Sequence, residues 1–280
     1  MISAATTDRA EARAERRCRV RLDGPRVNGV RIDPIDRTRF LDALSAFVAC
    51  GSSHVVHFFA AHPTVEARGD LSYRQLLNRG SLNVPDGMPV AWAVRMSGSR
   101  TERLAGTDAM HLVASWGLAS GIRHYLYGGR PETLGRLRRR LVEGYPEIEV
   151  VGAESPPFRP PTDEEVEASV RRMRDAGAQL VWVGLGAPKQ DLMGHQLRML
   201  QAAPVILCVG AAFDFVAGTV RRAPIWMQHS GLEWAYRLST DPQRLWKRYV
   251  LGNPRFVAGV LTDRVTAIRS GAGQTDHPDR

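Results

Sequence analysis

The chain has 280 residues, 44% of them hydrophobic and 24% charged, which allows a large core and excludes a wholly disordered polymer. Its longest apolar run, around Pro204–Phe213, is far short of the ~20 residues of a membrane-spanning helix. The Ala/Arg/Glu-rich start has no apolar secretory segment. The net charge of +9 is unevenly placed: residues 1–31 hold eight Arg against four acids, 32–216 balance, 217–249 hold six cations against two acids, and 250–280 four against three. A cytoplasmic protein, soluble or peripheral, is expected, with basic ends that meet something anionic. The three cysteines, Cys18, Cys50 and Cys208, are far apart and odd in number, so neither a disulfide framework nor a zinc site is read from them.

Residues 1–25 read as a polar, Arg-rich arm. Buried strands are then expected at Val27–Ile32, His54–Ala60, Leu82–Val84, Ile122–Tyr127, Glu149–Gly152, Leu180–Gly184 and Val205–Val209, where short apolar runs stand between turn residues. Helical periodicity fills the intervals at Arg37–Val48, Thr64–Asn78, Val90–Met96, Asp108–Ala119, Pro131–Glu143, Asp163–Ala176 and Lys189–Leu200. Thr107-Asp108 and Thr162-Asp163 look like helix starts. Strands alternating with helices predict an α/β fold, a doubly wound, Rossmann-like, mostly parallel sheet over residues 26–218. From Thr219 the alternation stops. Residues 219–260 read as a helical appendage rich in Arg and Trp, and 261–280 as a partly disordered tail.

Ligands of such sheets bind beyond the carboxyl ends of the strands. Asp86, in Pro85-Asp86-Gly87, ends a strand; it is either a turn residue or a general base. Gly128 and Gly129 precede a helix opened by Pro131, where backbone N–H groups suit a phosphate, and glycines serve equally as plain turns there. Gly184-Leu185-Gly186-Ala187-Pro188-Lys189-Gln190 places Lys189 where a dinucleotide fingerprint needs glycine, and no acid ends the following strand, which argues against an NAD site. Lys189 and Gln190 are candidates for phosphate and sugar hydroxyls. Asp214 either binds a hydroxyl or caps a helix. In the appendage, Arg221, Arg222, Arg237, Arg244, Lys247 and Arg248 alternate with Trp226, Trp234, Tyr236, Trp246 and Tyr249. Packing helices, a diphosphate clamp and an anionic membrane surface all fit that pattern. His54, His57, His62, His111 and His124 show no metal-ligand spacing, and no Asp-x-Asp motif is present. No metal and no cofactor is called for. A nucleic-acid or partner-binding module is the rival from another class, but no nucleic-acid motif accompanies the arginines.

These residues together resemble the WecG/TagA/CpsF glycosyltransferases, glycosyltransferase family 26. The likeness runs from about His54 to Phe256 through Pro85-Asp86-Gly87, Gly106-Thr107-Asp108-Ala109-Met110, Gly128-Gly129, Gly184–Gln190 and Phe213-Asp214. It closes on Arg222-Ala223-Pro224-x-Trp226-Met227-Gln228-x-x-Gly231-Leu232-Glu233-Trp234-x-Tyr236-Arg237-Leu238. The resemblance implies an inverting, metal-free hexosyltransferase in cell-surface polysaccharide synthesis. It would use a UDP-sugar donor and a polyprenyl-diphosphate-linked acceptor at the cytoplasmic membrane face. It implies Asp86 as base and Gln190 as a second catalytic group. Gly87, Thr107, Asp108, Gly128, Gly129, Gly186, Lys189, Asp214, Arg221, Arg222, Gln228, Arg237 and Arg244 would contact substrate. Phe58 and Ala60 stand where the family commonly has Thr-x-Asn, and Met193 where Trp is common, so the donor sugar, with N-acetylmannosamine one option, is left open. So is a diverged, inactive member, and so is a homo-oligomer.

Overall fold

The computed structural model describes residues 23–272. The expected basic arm therefore lies almost wholly outside the described residues, as does the tail beyond Ala272. The described chain opens with a hairpin, β1 (Arg26–Val27) paired antiparallel with β2 (Val30–Arg31). The single strand expected over Val27–Ile32 is corrected by its own Asn28-Gly29. Their φ angles of 55° and 79° form the left-handed pair that a tight hairpin turn needs.

Helix α1 (Arg37–Ala49) starts at Asp36, whose side chain accepts from the Arg39 N–H. It leads to β3 (His54–Phe59), buried along its whole length. The helix expected over Thr64–Asn78 is two: α2 (Ala61–Gly69) and α3 (Leu71–Asn78). Asp70 separates them because it is extended and caps the second, accepting from the Tyr73 N–H at 3.0 Å. There follow β4 (Leu82–Pro85), α4 (Met88–Met96), α5 (Gly106–Gly117), β5 (Arg123–Gly128), α6 (Pro131–Gly144) and β6 (Glu149–Glu154). Then come α7 (Asp163–Asp175), β7 (Leu180–Gly184), α8 (Lys189–Met199), β8 (Val205–Cys208) and α9 (Ala212–Ala217). Thr162 caps α7 with a full capping box, as expected. Thr107-Asp108 is not a cap: α5 begins at Gly106 and both residues lie in its first turn.

The strands β3 to β8 form one six-stranded parallel sheet in the order β4-β3-β8-β7-β5-β6. Its two faces feed separate cores. Val56, Leu180, Trp182 and Leu207 point to the face covered by α1, α5, α6 and α9. Val55, Val181, Val183 and Ile206 point to the face covered by α7 and α8. This is the doubly wound arrangement, and it explains why the strands read as continuous apolar runs rather than alternating ones. Each large aliphatic side chain so enclosed contributes about 1.5–3 kcal/mol.

Beyond the sheet come α10 (Ile225–His229), α11 (Glu233–Thr240), α12 (Pro242–Trp246), a π turn (Lys247–Leu251) and α13 (Gly252–Ala272). The boundary drawn at residue 260 falls inside α13. Phe256 and Val260 of that helix are buried in a third core with Val27, Phe59, Leu77 and Val94. Arg68 grips Asp263 at 2.8 Å, and Asp263 also accepts from the Gly29 N–H at 3.0 Å. The last helix is thus tied to the first hairpin. Among the described residues no helix is long and apolar enough to cross a membrane. Cys208 is free and buried.

Candidate active site

The carboxyl ends of the strands and the inner side of the appendage enclose one cavity of about 1290 Å³. Asp86 lines it from the end of β4. The Asp86 and Gly87 N–H groups both donate to Phe59 O, at 3.0 and 3.1 Å, which fixes the two strand ends side by side. Pro-Asp-Gly is therefore strand end and helix start rather than a reverse turn, with Gly87 the N-cap of α4. A Cβ at Gly87 would stand 3.2 Å from Ala60 Cα, so the close approach of β3 and β4 asks for glycine.

The Asp86 carboxyl is half-exposed to the cavity yet surrounded by protein. Burial pushes its pKa up to about 6; Arg103 and Arg222 oppose the rise, and Glu233 adds to it. Arg103 holds this loop to the appendage. Its Nε donates to Asp86 O at 2.7 Å and its Nη2 to Glu233 Oε2 at 2.8 Å. Arg222 makes a second clasp, forking onto both oxygens of Asp108, with Nη2 to Oδ2 at 3.0 Å. That pairing holds the Asp108 carboxyl below its usual range even though burial pulls the other way.

Gln190 is buried at the first turn of α8. Its Nε2 donates to Cys208 O at 3.2 Å, while its Oε1 has no partner and belongs to the cavity wall. A sugar hydroxyl would satisfy that oxygen. Behind it Asp191 is fully engaged, accepting from Tyr73 Oη at 2.6 Å and bonding His57 Nδ1 at 2.8 Å. His57, Asp191 and Cys208 come within metal-ligand reach of one another, although their spacing in the chain shows no such pattern. The Cys208 thiol donates to Gln190 O, and burial pushes its pKa well up. These bonds make the trio a support for the Gln190 turn.

Among the expected substrate contacts, Gly87, Thr107, Gly129, Gly186, Lys189 and Asp214 line the cavity. From the appendage so do Arg222, Gln228, Arg237 and Arg244. Gly186, with φ +75° and nothing within 4 Å of a built Cβ, leaves its backbone open to a ligand. Three expected contacts stand elsewhere. Gly128 is behind the wall, where a Cβ would lie 2.6 Å from Gly184 O; it serves packing of β5 on β7. Asp108 is occupied by Arg222 and Arg221 is exposed; neither lines the cavity. Asp214 is no helix cap, since Ala211 holds that place.

Two residues that matter were not singled out as contacts in the sequence. Arg103 is one. Arg248 is the other: it lines the cavity, its Nε is buried without a partner, and among the described residues no carboxylate pairs with it. Burial lowers its pKa and neighbouring Arg237 and Arg244 lower it further, while Tyr249 and Glu66 oppose the fall. Burial, and after it the Arg248 charge, lowers the His62 pKa to about 4. The Arg-x-x-Lys-Arg-Tyr run at 244–249 was the available signal. A cation without a carboxylate partner on the wall of an open cavity is what a diphosphate would neutralise.

One family model matches residues 25–270 of this chain; its description is Glycosyl transferase WecG/TagA/CpsF family.

Proposed function

Because the chain belongs to the WecG/TagA/CpsF family of glycosyltransferases, which act in cell-surface polysaccharide synthesis, we propose that it moves a hexose from a UDP-sugar to a polyprenyl-diphosphate-linked saccharide, with inversion at the anomeric carbon. The acceptor hydroxyl attacks C1 of the sugar while Asp86 takes its proton. The bond from C1 to the phosphate oxygen breaks, and UDP leaves with that electron pair. Arg237, Arg244 and Arg248 neutralise the diphosphate as its charge grows. Arg222, held by Asp108, adds its field without having to move. Gln190 Oε1 accepts from a sugar hydroxyl, and the open backbone at Gly186 lets the phosphates approach, with Gly129 lining the cavity beside it. Thr107, Lys189, Asp214 and Gln228 supply further polar contacts.

The observation that carries this reading is a carboxylate, Asp86, whose pKa burial raises to about 6, sharing one cavity with Arg237 and Arg248, which have no carboxylate partner among the described residues. A base of that pKa is ionised at neutral pH yet still basic enough to take a hydroxyl proton. The test is UDP release from a panel of UDP-sugars with a short-chain lipid-diphosphate saccharide. Asp86→Asn lowers the rate by about 10²–10⁴; transfer at the wild-type rate overturns the assignment. The reading uses protein cations where other transferases use a metal, so EDTA leaves turnover unchanged. Loss of turnover in EDTA would move that role to a metal ion.

Peripheral attachment to the inner membrane face belongs to the same reading. Ile225 and Trp226 are 70% and 64% exposed on the appendage, and Arg221 is exposed close by in the chain. Apolar tips flanked by cations suit an anionic bilayer surface. Nucleic acid has no place in it, because four of the six appendage cations, Arg222, Arg237, Arg244 and Arg248, line the cavity. Titration with UDP against a generic oligonucleotide decides the matter, and tight oligonucleotide binding without UDP binding would reverse it.

A further inference from the structure

The cavity has an arm that sugar transfer does not use, between α4 and α13. Trp92 and Met96, one turn apart, form one wall; Val257 and Leu261, one turn apart, form the other. They are 41%, 46%, 56% and 54% exposed, so large apolar side chains line open space within a cleft. Phe256, buried on the same helix as Val257 and Leu261, lines the cavity beside them. Arg264 Nη2 bonds Met96 O at 3.1 Å and ties the two helices together there. Arg248, whose buried Nε lacks a partner, lines the same cavity. Alongside Met88–Met96 the groove is about 12 Å long at 1.5 Å per residue.

Whatever fills this arm is anionic at its inner end and apolar beyond it. A single isoprenoid chain on a diphosphate has that order of charge, and two opposed apolar walls fit a chain rather than a flat bilayer surface. We propose that the groove between α4 and α13 holds the first isoprene units of the lipid-linked acceptor, delivering its diphosphate to Arg248. This rests on the lipid-diphosphate acceptor of the preceding section, and it adds where the lipid goes.

The test is calorimetric binding of farnesyl diphosphate and of inorganic pyrophosphate to the full chain, without detergent or vesicles. Wild-type protein binds farnesyl diphosphate at least about tenfold more tightly, since burying even two methylenes supplies that ratio. Trp92→Ser with Leu261→Ser brings the ratio close to one and leaves pyrophosphate affinity unchanged. Met96→Ser with Val257→Ser does the same, which guards against a local effect of Trp92 on the adjoining Gly231 turn. Arg248→Met weakens both ligands alike. Equal wild-type affinities overturn the proposal, as does a preference that survives in both double variants. A separate co-sedimentation with phosphatidylglycerol vesicles completes the test: variants that lose vesicle binding but keep the farnesyl preference overturn the proposal, for then the groove is a membrane contact. Asp86→Asn keeps the farnesyl preference, so failure of the catalytic assignment and failure of the groove are separately visible.

Discussion

Asp86 is under two opposed demands. The proposed transfer asks for an ionised carboxylate, and burial raises the pKa to about 6. The acid limb of kcat/KM is therefore expected to rise through about pH 6, since only the deprotonated form accepts a proton. Stability runs the other way. With the folded pKa above its ordinary value, the native state binds the proton more tightly than the unfolded chain, so this group's contribution falls as pH rises from about 4 to 6. Asp86→Asn should accordingly make the protein more stable at pH 7 by about 1–2 kcal/mol in urea unfolding, after allowance for its partial exposure to the cavity. An unchanged urea midpoint would mean that the carboxylate is well solvated. Asp86 and Gln190 were legible in the sequence because each ends or follows a strand, where a parallel sheet puts its ligands. Arg103 was not legible. It follows an unremarkable Thr101-Glu102, and only the fold brings its guanidinium to Asp86 O and Glu233.

Elements divide in the same way. Strands β3, β7 and β8 were legible because burial on both faces demands unbroken apolar runs. The break at Asp70 was hidden because apolar periodicity continues past it, and a short polar residue caps a new helix without interrupting that pattern. The extent of α13 was hidden too: its apolar residues serve both the third core and the open groove, so no single stripe stands out. What fastens the appendage to the sheet is a pair of ion clasps, Arg103–Glu233 and Arg222–Asp108. Asp108→Ala leaves the half-buried Arg222 fork without its acceptor, at a cost of about 1–2 kcal/mol to local closure. If the segment 219–250 opens before cleavage, that shift makes trypsin cut there about tenfold faster than in wild type, with the sheet domain intact. Equal cleavage rates would show that the apolar contacts of α13 alone hold the appendage down.

At the scale of the whole molecule, the excess charge of residues 217–249 is divided: Arg222, Arg237, Arg244 and Arg248 line the cavity, while Arg221 and Lys247 are exposed outside it. Composition showed the excess but not its direction, because sequence position alone does not say which side of a helix meets the sheet. The sheet sets the acid limit of the fold through buried histidines. His124 accepts the Trp182 Nε1–H at Nδ1, 3.0 Å away, and Trp182 is only 1% exposed. Burial lowers the His124 pKa to about 4, and burial with Arg198 lowers that of His54 to about 4. Both must stay neutral to fold, while the unfolded chain protonates them near their ordinary value of 6.5. Stability is therefore complete above pH 6.5 and drains away as pH falls toward 4, by about 1–3 kcal/mol for each histidine. His124→Asn separates this effect from the other acid-sensitive groups. The amide oxygen can still accept from the indole, but the side chain no longer titrates. Urea midpoints measured from pH 7.5 to 4.5 should fall less steeply in the variant than in wild type, with the two nearly equal at pH 7.5. Parallel curves would place the acid sensitivity elsewhere, with His54 the next position to substitute.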